Sequence, residues 1–142
     1  MTSHDDSKER TERGSWRTLN ISFDAAVARL PTALQQEGFG IITQIDLQQT
    51  FKLKLSKDFG RYSIFGACKP SFALQALESD PQLGLLLPCN IVLFENPDRT
   101  VALGVIDPMR QLGATDGPLA ELARSVGDSL ARVSETLASP LP

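Results

Sequence analysis

The C-terminal part of the chain carries a long apolar stripe. Its members recur at steps of three and four residues: Leu119, Leu122, Val126, Leu130, Val133 and Leu137. This spacing places them on one side of an α-helix and leaves the other side polar. The sequence therefore predicts a one-sided final helix that begins near Asp116-Gly117-Pro118.

Strand and helix patterns alternate along the rest of the chain. We predict strands over 16–22, 39–45, 62–68, 90–94 and 100–106, and helices over 23–37 and from Pro70 to Pro81. The turn sequence 96–99 joins the last two strands into a β-hairpin. Residues 47–55 fit either a strand or a helix. The predicted fold class is α+β, with one mostly antiparallel β-sheet and helices packed on one face.

The first predicted helix has clear ends and one internal conflict. Ser22 or Asp24 is suited to cap its start, and Gly38 follows its end. Pro31 lies in its middle, where proline removes a backbone hydrogen bond and clashes with the preceding turn. We expect a kink there, or a helix in two pieces.

The length of 142 residues fits one domain. We predict a disordered charged tail over 1–14, a single α+β domain over 15–138 and a proline-rich end over 139–142. The tail has almost nothing apolar to bury.

Charge and composition exclude several classes of protein. The formal net charge of −3 argues against general binding of nucleic acid or of an anionic membrane. No apolar run approaches the roughly 20 residues of a membrane helix, and the start lacks the apolar segment of a signal peptide. We therefore expect a cytoplasmic protein with no nucleic-acid and no membrane partner.

The single histidine, His4, lies in the predicted tail. A Ser-His-Asp or Cys-His pair therefore cannot form in the core, and phosphate-loop, dinucleotide and zinc-protease motifs are missing. These observations favour a non-enzymatic protein without a cofactor.

Two short segments carry the candidate site. They are Gly66-Ala67-Cys68-Lys69-Pro70 and Leu86-Leu87-Pro88-Cys89-Asn90. A helix that begins at Pro70 would place Cys68 beside its N-terminus, where the helix dipole and Lys69 favour a thiolate. Cys68 is then either a reactive or metal-binding thiol or a small buried residue at a tight junction, and Cys89 is either its partner or a core thiol.

The two cysteines share one end of the sheet if strands 62–68 and 90–94 pair in antiparallel fashion. A disulfide between them would stabilise the fold by about 3 kcal/mol in the chain-entropy model, and two thiolates could hold a soft metal such as Cu(I). They are too few for a structural zinc site, so we expect no bound metal. Asp107 ends a predicted central strand and joins Cys68, Lys69, Pro70, Pro88 and Cys89 in the candidate site.

The chain resembles the family called "domain of unknown function 302". The resemblance runs from about residue 23 to 137 and rests on the Gly-Ala-Cys-x-Pro segment at 66–70, the Leu-Leu-Pro-Cys-Asn segment at 86–90 and Asp107-Pro108. It implies a curved antiparallel sheet in β-α-β(4)-α order, of the TATA-binding-protein-like class. It also implies a short helix over 48–55 and a homodimer. This chain departs from the family pattern at Lys69, where members often carry asparagine, and at Pro31.

Three functional hypotheses follow. The first is a homodimeric module that binds a small molecule or a partner segment at the candidate site. The second is a thiol-based redox, sulfur-handling or soft-metal protein that uses Cys68 and Cys89. The third is a purely structural role in which the final helix packs across a dimer.

Overall fold

The structure is a computed structural model that describes residues 8–113 and 116–139. Six antiparallel strands form one sheet in the order β1-β2-β6-β5-β4-β3. The strands are β1 (Lys8–Arg10), β2 (Gly14–Leu19), β3 (Gly40–Asp46), β4 (Tyr62–Cys68), β5 (Cys89–Glu95) and β6 (Val101–Ile106). The helices are α1 (Phe23–Gln36), α2 (Leu47–Leu55), α3 (Pro70–Ser79), α4 (Pro108–Leu112) and α5 (Gly117–Ala138), with a 3₁₀-helix at Pro81–Leu86. The predicted α+β class is confirmed.

The core lies between the sheet and helices α1, α3 and α5. Alternate residues of the central strands, such as Phe65, Ile91 and Leu103, point to this side and are almost completely buried. The apolar stripe of α5 meets them, and its small residues Ala120 and Ala123 are also buried. The stripe therefore packs on the sheet of its own chain, which removes the reason for placing it across a dimer.

Helix α1 ends as predicted. The side chain of Ser22 accepts a hydrogen bond from the backbone N–H of Ala25, and Gly38 has the positive φ of 85° that favours glycine. The expectation of a helix in two pieces is wrong, because α1 runs unbroken through Pro31. Pro31 is exposed, whereas Leu30 and Leu34 beside it are fully buried, so core packing holds this segment helical.

The predicted tail over 1–14 needs correction in its second half. Lys8–Arg10 pair with Ser15–Arg17 as the edge strand of the sheet. A turn at 11–14 closes this hairpin, with the backbone N–H of Thr11 donating to the carbonyl of Gly14 at 2.7 Å. Backbone hydrogen bonds form the strand, so its lack of apolar side chains does not prevent it. Residues 1–7 and 140–142 lie outside the described residues.

The remaining differences between the predicted and the observed elements are local. The first long strand ends at Leu19 rather than 22, since Ser22 serves as the helix cap. Residues 47–55 are helical, as the family resemblance implied. The 3₁₀-helix and α4 were not predicted. None of the helices in the described residues is long and apolar enough to cross a membrane.

Candidate functional site

The sheet brings four of the six predicted site residues to one cavity. Strands β4 and β5 are antiparallel neighbours, with Ala67 opposite Cys89, so the two cysteines lie at the same end of the sheet, as predicted. A cavity of about 250 Å³ opens there between this end and helix α3. We call it the thiol pocket; it is lined by Ile42, Ala67, Cys68, Lys69, Phe72, Ala73, Leu77, Leu87, Pro88 and Cys89.

The walls of the thiol pocket are almost entirely apolar. Phe72 is buried and forms part of the core, whereas Ile42 and Leu77 remain 60% and 37% exposed. Among the residues that the structure describes, Lys69 is the only charged one that lines the pocket. An apolar cavity of this kind favours an apolar guest, because few groups on its wall can hydrogen-bond to water.

Lys69 and Pro70 sit at the start of α3, with Pro70 in the first turn. Lys69 makes no side-chain capping hydrogen bond to the helix, which is the consequence expected of lysine at this position. Its aliphatic stem lies over Gly38, where an added Cβ would be 3.3 Å from the Lys69 Cε. Its ammonium lies 5.8 Å from the ring centroid of Phe39.

The two thiols differ in their surroundings. Both are free, with Cys89 buried and Cys68 half-buried. Burial, with a smaller effect of the neighbouring Cys68, raises the pKa of Cys89 to about 11. Cys89 is therefore a neutral thiol at physiological pH. Across residues 8–113 and 116–139, no three His, Cys, Asp or Glu side chains are placed to share a metal ion.

Asp107 belongs to a different cavity. It follows β6 at the same end of the sheet, but it does not line the thiol pocket. One carboxylate oxygen accepts a hydrogen bond from the backbone N–H of Met109 at 3.0 Å and caps α4. The other lies 3.5 Å from the Arg10 guanidinium and 3.7 Å from that of Arg110. These contacts turn Asp107 away from the cysteines.

The opposite face of the sheet carries an aromatic row that was not predicted from the sequence. Trp16 lies 5.7 Å from Phe94, and Phe94 stacks on Tyr62 at 5.3 Å with an interplanar angle of 2°. The row continues through Phe59, 6.2 Å from Tyr62, to Phe51 of α2 at 4.9 Å. The centre of the aromatic row is the cross-strand pair of Tyr62 and Phe94, so the row could be recognised only once the strand register was known.

Helix α2 is exposed beside this aromatic row. None of its nine residues is buried, and Leu53 and Leu55 are 73% and 68% exposed. Exposed apolar side chains mark an interaction site when they form a contiguous patch with their neighbours.

Comparison with known proteins agrees with the fold. The family model described as "Domain of unknown function DUF302" matches residues 16–137. A crystal structure of an uncharacterised conserved DUF302 protein from Bacillus stearothermophilus is similar, with a TM-score of 0.78 and 26% sequence identity. The match covers 86% of this chain and 95% of that chain. No curated protein matches this chain.

Proposed function

The chain belongs to the DUF302 family, and from this premise we propose that it is a homodimeric binding module whose thiol pocket holds a small apolar molecule. The pocket itself carries the proposal. Its volume of about 250 Å³ exceeds the roughly 150 Å³ of an apolar cavity that takes up benzene. It is smaller than most sites for drug-sized ligands. A compact ring system or a short branched chain matches this space.

The composition of the wall supports binding rather than thiol chemistry. Cys89 is protonated at neutral pH and so is a poor nucleophile. Pro88, Leu87 and Phe72 line the same cavity as Cys89 and make its wall largely of carbon atoms. The two sulfur atoms then act as soft, polarisable parts of an apolar wall.

A cavity-filling variant tests whether the thiol pocket binds a small apolar molecule. Indole and toluene, added to the full chain, should show ligand-detected NMR signals of binding, with Ala73→Leu lowering affinity at least tenfold. Ala73 is half-buried and lines the pocket, so the larger side chain enters the cavity. Ala28→Leu, at an exposed position of α1, makes the same change outside the pocket and should bind normally. Equal binding by the two variants, or no binding to the wild type, would contradict the proposal.

The half-buried aromatic row, with its exposed member Phe59, and the exposed helix α2 support the dimeric part of the proposal, with a second copy of this chain as the occupant. Isolated helices shorter than about 12–15 residues are marginal in water, and α2 has nine residues without one buried side chain. The row leads from α2 across the sheet without a break, through Phe59 and Tyr62 to Trp16. A second copy of this chain on this surface would bury both the aromatic row and α2.

Sedimentation velocity at micromolar concentration tests the dimer. We expect the wild type to sediment as a dimer and Leu53→Glu as a monomer. Leu85→Glu is the matched control, because Leu85 is 89% exposed in the 3₁₀-helix, away from the aromatic row. A monomeric wild type would refute dimerisation without affecting the ligand experiment.

A further inference from the structure

A second cavity lies at the other edge of the sheet. It has a volume of about 410 Å³ and opens between the β1–β2 hairpin on one side and helices α4 and α5 on the other. Its charged lining residues are Lys8, Arg10, Arg110 and Arg124 together with Asp107 and Asp128. We call this cavity the basic cleft.

The cleft concentrates positive charge in an acidic chain. Its lining has a formal excess of two positive charges, whereas the whole chain carries −3. The cations come from β1 near the start of the chain and from the consecutive helices α4 and α5 near its end. This convergence is produced by the fold rather than by a local run of basic residues.

The ion pairs in the cleft do not neutralise all of these cations. Arg10 and Arg110 both approach the same carboxylate of Asp107, at 3.5 and 3.7 Å, so two positive charges share one negative charge. Lys8 and Arg124 form no ion pair with any other residue of 8–113 or 116–139. Three guanidinium groups and one ammonium group therefore border the same space as two carboxylates, which leaves two positive charges in excess.

The remaining wall leaves room for a molecule with an uncharged body. Gly127 and Ala131 of α5 are small, and the nearest atom to an added Cβ at Gly127 would be the Pro108 Cδ at 3.7 Å. Met109 and Pro108 provide an apolar surface beside them. The charged rim and the apolar wall thus line the same cleft.

We propose that the basic cleft binds a small organic anion, with its acidic head at the arginines and its body against Met109 and the small residues of α5. Guanidinium groups form paired hydrogen bonds with phosphate and with carboxylate oxygens, so both heads share the required chemistry. This site is separate from the thiol pocket and does not depend on the function proposed above.

Calorimetric titration of the full chain at low ionic strength tests the inference. Phenyl phosphate and benzoate are the two anionic probes and distinguish a phosphate head from a carboxylate head. Benzyl alcohol is the uncharged analogue. We expect saturable binding of at least one anion that weakens as salt is added, and no comparable binding of the alcohol.

Variants locate the binding site. Arg124→Gln should weaken the anion at least fivefold, whereas Arg99→Gln, in the exposed turn before the opposite end of β6, should leave it unchanged. Ala131→Met fills the cleft without a change in charge and should also weaken binding, with a melting temperature near that of the wild type. Ala73→Leu in the thiol pocket should have no effect. Failure of both anions to bind, equal binding of the alcohol, or wild-type affinity in Arg124→Gln would overturn the inference.

Discussion

A methyl group at Gly104 should disturb the aromatic row. Gly104 lies in β6 directly opposite Trp16 of β2. A Cβ at this position would lie 2.6 Å from the Cζ3 and Cη2 atoms of Trp16 and 2.9 Å from its Cε3. Carbon atoms pack best at about 3.5–4.0 Å, so Gly104→Ala must push the indole ring outward by about 1 Å.

The size of the effect follows from three contributions. Overpacking typically costs about 1–3 kcal/mol, and loss of the Trp16–Phe94 contact, worth about 0.5–1.5 kcal/mol, contributes part of that cost. Alanine is favoured over glycine inside a strand by about 0.5–1 kcal/mol. We therefore expect Gly104→Ala to lower the free energy of unfolding by about 1–2 kcal/mol and the melting temperature by about 3–8 °C.

Urea unfolding followed by circular dichroism and by tryptophan fluorescence measures both consequences. Trp16 is the only tryptophan of the chain, so a change in its emission reports directly on the displaced ring. Gly40→Ala is the matched control, because a Cβ at this strand position meets nothing within 4 Å. In a Trp16→Leu background the same Gly104→Ala change should lose most of its cost. A Gly104→Ala protein with wild-type stability and unchanged emission would refute the reasoning.

Three further predictions concern the pH dependence and helix stability. Because the pKa of Cys89 is raised from 9.0 to about 11, the neutral thiol contributes fully to the free energy of unfolding below about pH 9, and this contribution declines as pH rises towards 11. Between pH 8 and 10 the free energy of unfolding of the wild type, measured with urea, should fall by about 1.4 kcal/mol more than that of Cys89→Ala. Equal losses would contradict this. Pro31→Ala should raise the free energy of unfolding by about 2 kcal/mol, since the new N–H can bond to the Val27 carbonyl, and an unchanged urea midpoint would argue against it. The hydrogen bond and charge of Arg61 hold the pKa of Asp24 below its usual 3.8, so NMR titration of Arg61→Gln should return it upward, and an unmoved titration curve would exclude the pair.

Elements whose side chains enter the core could be predicted from the sequence. The stripe of α5 reflects burial on one side of the helix, so its period is visible in the residues. Strands β4 and β5 were predicted instead from their β-forming and apolar residues. Helix α2 could not be assigned in this way. It buries no residue, so no core selects between its helical and its extended spacing, and the family resemblance was needed. Strand β1 was missed because its backbone alone makes the sheet contacts.

The only part of the candidate site that could be predicted from the sequence is the part that depends on strand pairing. Antiparallel β4 and β5 bring Cys68 and Cys89 to one end, and this needed only the strand order. The rest of the thiol pocket comes from β3, α3 and the segment before β5, so Ile42, Phe72 and Leu87 carry no local signal. Asp107 reaches the same end, but capping of α4 and its two arginine neighbours draw it into the basic cleft.

The two sequence motifs fit together physically, which separates their structural residues from their functional candidates. An added Cβ at Gly66 would lie 2.6 Å from the Cγ of Pro88, so the glycine of one motif makes room for the proline of the other. This close packing accounts for Gly66 and Pro88 and sets Ala67 opposite Cys89. It gives no structural task to the side chain of Lys69, which makes no capping hydrogen bond, or to the half-buried Cys68. Both border the pocket, so the case for binding there depends on these two residues and the apolar wall beside them.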